Sequence, residues 1–222
     1  MLGCIIGDNL RNQKNSSEGI TIMMAVADVL LSKLVFEDLR QESESDTLYR
    51  NRFDYFMTHA KKTKKDIQLS QWTQIAAIPI GFSSNTIDEA KEEAKRCTRI
   101  MTDNKKKQEE AALLASLIFL GKEGVPKEAI PFFLEAEYNL KLTPKKSPLA
   151  RAILDLISQE SFESYLEHNK LAKRRSYTLL CGGLGQAFFL LPASLSNATL
   201  DLLHEDYKRI VLSFHKTYDL AF

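Results

Sequence analysis

An all-α fold is what this chain of 222 residues predicts. Three observations carry the expectation. Apolar residues recur at steps of three and four in the long segments, the period of helices that bury one face. Runs that alternate apolar with polar residues, the mark of half-buried strands, do not recur. Between the periodic segments stand clusters of glycine, proline, serine and asparagine, which stop and start helices.

The opening Met1-Leu-Gly-Cys-Ile-Ile-Gly-Asp8 is an apolar run that ends on a carboxylate. It has no basic stretch ahead of the apolar residues, so it lacks the layout of a secretory signal. Asp8 is costly to bury without partners and reads as a cap for the next element or as part of a site. Ser17 and Glu18 then stand as cap-like residues before segment 21–34, whose Ile22, Met23, Ala25, Val26, Val29, Leu30 and Leu34 form one helical stripe. Segment 37–70 is polar, poor in aliphatics and lysine-rich near its end, and is expected to be peripheral. Segments 89–101, 108–120 and 149–157 repeat the helical pattern. Breaks are expected at Gly121 to Pro126, at Thr143 to Pro148 and, after Pro192, at Ser194 to Asn197. The charge-free stretch 176–195 reads as a buried helix: its length could span a bilayer, but Gly182, Gly183, Gly185, Gln186 and Pro192 interrupt it. A last helix is expected over 200–214, with Leu202, Leu203, Tyr207, Ile210, Val211 and Phe214 on one face.

The chain is long enough for one domain with a substantial core and too short for two full-sized ones. Hydrophobic residues make up 44 % and charged residues 27 %, which excludes a disordered or low-complexity chain. Thirty basic against 29 acidic side chains leave a formal charge of +1, with no global attraction to nucleic acid or anionic lipid. The lysine runs 61–65, 105–107 and 173–175 lack interleaved aromatics and read as solvated faces. Three widely spaced cysteines suit a reducing, cytosolic-type compartment. His59, His168, His204 and His215 never approach one another or a cysteine at zinc-ligand spacing, so no metal site is expected from them. Gly182-Gly183-Leu184-Gly185 lacks the βαβ setting of a dinucleotide fingerprint, and a close helix contact explains its glycines better.

Two stretches taken together resemble the ADP-ribosylglycohydrolase family, the group of dinitrogenase reductase activating glycohydrolase. They are Met1-Leu-Gly-Cys-Ile-Ile-Gly-Asp8 and Ile22-Met-Met-Ala-Val-Ala-Asp-Val-Leu-Leu31. In the family an apolar stretch ending Gly-Asp leads to a Thr-Asp-Asp-Thr metal motif and then to a similar helix. Ile78-Pro-Ile-Gly-Phe82, residues 92–102 and residues 112–120 are similar to the family's middle helices, in the same order. Gly182-Gly183 falls where the second metal motif, Gly-Gly-Asp-Ser-Asp-Thr, would stand. The resemblance implies a compact orthogonal all-α bundle forming one domain over residues 1–222.

The departures bear on chemistry. Ser17-Glu18-Gly19-Ile20 replaces Thr-Asp-Asp-Thr, and Leu184-Gly185-Gln186 replaces Asp-Ser-Asp. Two divalent ions held close together need several carboxylates to neutralise them, so the family's dinuclear Mg²⁺ centre is not expected, nor any other cofactor. The loop from Asp8 to Ser17 is shorter than in the family, Leu69-Ser-Gln-Trp72 stands in place of a Gly-Asn-Gly-Ser run, and Thr102-Asp103 replaces Thr-His.

The resemblance thus implies a pocket with Glu18, Asp8 and Asp103 as catalytic acids and Ser17, Gly19, Gly182, Gly183 and Gln186 lining the substrate. The expected activity is removal of ADP-ribose from a modified side chain, arginine-linked for preference, without metal: one carboxylate stabilises the oxocarbenium-like ribose while another protonates the leaving group or activates water. The expected partner is an ADP-ribosylated protein or free ADP-ribose, not a nucleic acid or a membrane. The competing expectation is a catalytically silent relative that binds ADP-ribose, a nucleotide or a protein.

Overall fold

The computed structural model describes residues 1–9, 18–36, 41–59, 68–143, 147–169 and 175–220. Among them the fold is all-α and no strand occurs. The helices are α1 (Leu2–Asn9), α2 (Glu18–Val35), α3 (Glu42–His59), α4 (Thr73–Ser83), α5 (Ile87–Met101), α6 (Lys105–Lys122), α7 (Ile130–Tyr138), α8 (Pro148–Ser158), α9 (Phe162–Asn169), α10 (Arg175–Phe188), α11 (Ala193–Leu202) and α12 (Glu205–Thr217), with short 3-10 turns at Leu69–Gln71 and Lys127–Ala129.

The helix starts follow capping chemistry. The Thr86 hydroxyl accepts the amide of Glu89, and the Glu89 carboxylate in turn accepts the amide of Asn85, so α5 begins two residues before its periodic stripe. Asn104 caps α6 by accepting from the Lys107 amide, and Ser147 caps α8 by accepting from that of Ala150. Asn139, at φ 46°, stops α7 in the left-handed region that asparagine tolerates.

Helix α4 is apolar on every side and buried at every position but Gln74, because α2, α5, α6 and α10 all pack on it. Its direction matches that of α6: Gln74 donates to Glu110 at 3.0 Å near one end, and Lys122 donates to the Ser84 carbonyl at 2.8 Å near the other. Helix α5 runs antiparallel to α6 across a short turn, with Lys95 on Glu109 at 3.0 Å. Helix α1 lies antiparallel on α10. A Cβ on Gly7 would stand 2.3 Å from the Thr178 carbonyl oxygen, and one on Gly3 would stand 2.1 Å from that of Gly182, so the two backbones touch where side chains normally keep helices 8–10 Å apart.

Four expectations need correction. The buried helix expected over 176–195 ends at Phe188: Pro192 has no N–H to give a continuing helix and pushes the residue before it toward extended backbone. The break expected at Ser194 to Asn197 is instead the first turns of α11, which Pro192 introduces from an extended conformation. The single helix expected over 200–214 is two, parted at Leu203, because His204 turns extended and its imidazole caps α12 by accepting from the Asp206 amide. Segment 37–70 is not peripheral throughout: within it α3 sends Tyr49, Phe53, Phe56 and Met57 into the core, a sparse stripe at helical spacing among polar residues.

Candidate functional site

Several helices begin at one end of the bundle. Glu18 opens α2, and its Oε2 accepts the indole N–H of Trp72, the residue that leads into α4, at 3.2 Å. Lys107, in the first turn of α6, donates to the Ser70 carbonyl at 2.8 Å and so ties that helix to the 3-10 turn ahead of Trp72. Thr21, in the first turn of α2, shares a hydrogen bond with the Tyr207 hydroxyl at the start of α12 at 3.2 Å. Helix α1 ends here as well, since Gly7 meets Thr178 near the start of α10. The α2, α4, α6, α10 and α12 starts bring the positive ends of their helix dipoles to this end of the molecule, and α1 and α5 bring negative ends beside them.

The sequence-derived residues divide across this frame. Glu18 is half-buried at the α2 start. Asp8, on the last turn of α1, is buried and engaged by another part of the chain. Their neighbours Gly7 and Gly19 pack on the same stretch of α10, against Thr178 and Leu179. Asp103 is exposed on the turn between α5 and α6, one helical turn ahead of the Lys107 that holds Ser70. Gly19 makes room for the indole: a Cβ there would fall 2.8 Å from the Trp72 ring and 2.7 Å from Leu179. Ser17 lies outside the described residues.

The other three residues expected to line substrate serve packing. Gly182 and Gly183 sit in the middle of α10, where backbone amides are already used by the helix, and they face Gly3 and the pair Ile78 and Cys4. They provide a close crossing and no loop of free N–H groups. Gln186 stands about two turns farther along α10 than the stretch that meets Gly7 and Gly19. Its Oε1 accepts the Met1 amine at 2.5 Å and the Gly3 amide at 2.9 Å, and its amide nitrogen meets His215 Nε2 at 3.4 Å. Both of its polar groups are spent inside the fold.

Two groupings were not singled out in the sequence. Trp72 is one, and its position as the only tryptophan, just after Leu69-Ser-Gln, was the available signal. The other surrounds Glu93 on α5: Lys33 on α2 pairs with its Oε1, the Tyr49 hydroxyl on α3 donates to the same oxygen at 2.6 Å, and Arg96 reaches Oε2 at 3.2 Å. No spacing rule joins residues 33, 49, 93 and 96, which lie on three helices. Burial and the Glu93 charge push the Tyr49 phenol well above its ordinary range, so it stays a donor.

Among the described residues no group of three or more histidines, cysteines, aspartates or glutamates could hold a metal ion, and no helix is long and apolar enough to cross a membrane. No protein-family model, curated protein or solved structure matches the chain.

Proposed function

We propose that the chain recognises ADP-ribose at the end of the bundle where α2, α4, α6 and α12 begin. The observation that supports this reading is the half-buried Glu18 carboxylate held at a helix start by the Trp72 indole. A carboxylate in that setting accepts hydrogen bonds from the vicinal hydroxyls of a ribose. The opening and α2 motifs supply the family analogy. The Trp72 emission is a direct reporter: titration with ADP-ribose is expected to change it saturably in wild type and far less in Glu18→Ala. A calorimetric titration with no heat and no change in emission defeats the reading.

The second reading is hydrolysis of the N-glycosidic bond without the family's dinuclear centre. Glu18 favours it, being the one acid of the three that is partly exposed and oriented by a fixed donor. It would stabilise positive charge on the ribose, and Asp103, on the turn that leads into α6, would handle the proton. Asp8, being buried, fits a supporting role. Glu18→Gln is expected to slow single-turnover release of ADP-ribose from an arginine-linked substrate by about two to three orders of magnitude, with a chelator making no difference. A wild type that binds ADP-ribose but leaves every linkage intact decides for the binding protein.

A further inference from the structure

We draw no further inference here: the strongest candidate, the side-chain cluster where α8, α9 and α10 meet, with the Tyr177 hydroxyl donating to the Asp155 carboxylate at 2.9 Å and His168 standing 3.5 Å from its other oxygen, ties these three helices together, and nothing among the described residues shows a ligand or reacting group for it to serve.

Discussion

Gly3 and Gly182 press backbone against backbone: a Cβ on Gly182 would stand 1.9 Å from the Gly3 carbonyl oxygen, and one on Gly3 would stand 2.1 Å from that of Gly182. Neither neighbour is a flexible side chain that could swing away. The crossing of α1 over α10 therefore has no slack for even one carbon atom.

Gly182→Ala is expected to cost about 3 kcal/mol, the upper end of the overpacking range, because two helices must separate to admit the methyl group. Gly124→Ala is the control. Gly124 has open space around it but sits at φ 78°, so its substitution is expected to cost about 1 kcal/mol from backbone strain alone. Urea unfolding of both variants measures the difference, and equal losses would show that the crossing can relax.

The Glu93 cluster gives a prediction with two parts. The side chains of Glu93 and Lys33 are 15 % and 11 % exposed, so removing one charge takes from the other a partner that water does not readily replace. Glu93→Ala is expected to destabilise by about 3 kcal/mol. Replacing Lys33, Tyr49 and Glu93 together by Met, Phe and Leu is expected to recover part of that loss, because the three side chains that met at Glu93 Oε1 are then all apolar. Thermal melts of the single and triple variants test both parts.

Burial holds the His215 imidazole down at a pKa of about 3. In the unfolded chain it titrates near 6.5, so above that pH both states are neutral and the folded state keeps its full stability. Below it the unfolded state takes up a proton that the folded state does not, and stability falls as pH drops from about 6.5 toward 3. His215→Gln is expected to flatten that acid slope in urea unfolding measured at a series of pH values, and a slope unchanged by the substitution would place its origin elsewhere.

Burial also raises the thiols of Cys4 and Cys181 to about 12, and that of Cys97 well above its ordinary range. All three are expected to resist a thiol-titrating reagent at pH 8 in the folded protein and to react fully in denaturant. Fast labelling of one thiol under native conditions would reveal local opening of its helix, and sequencing the labelled peptide identifies which.

The helices with dense apolar stripes, α2, α5, α6 and α8, were legible in the sequence because their period is written in adjacent turns. Helix α3 was not, since Tyr49, Phe53, Phe56 and Met57 are diluted by charged neighbours and show a face only once α2 and α5 are present to meet it. The break between α11 and α12 was hidden because Leu202, Leu203 and Tyr207 keep helical spacing across His204, and only the conformation of that residue ends one helix and begins another. At the candidate site, the motif pointed to Glu18 and Gly19, which the structure places at the α2 start beside Trp72. Gln186 was misplaced because a motif aligns residues along the chain, while the turns between it and Leu179 carry its side chain to the other end of α1. Trp72, named in the sequence only as part of Leu69-Ser-Gln-Trp72, carries no role there for a related reason: its contact with Glu18 exists only where α4 starts beside α2.

The pairing of α1 with α10 also has a timetable. Gly3 and the Gln186 that accepts its amide are 183 residues apart, so the apolar segment Leu2–Asn9 leaves the ribosome well before its partner. At about 5–20 residues per second it waits on the order of ten to forty seconds with its glycine notch unfilled. During that interval a short helix whose one ionisable carboxylate is Asp8 is exposed to whatever apolar surface is nearby, and closure of this long loop comes late in folding. Slowing the ribosome ahead of α10 would lengthen that exposure, whereas the same pause after it would cost nothing.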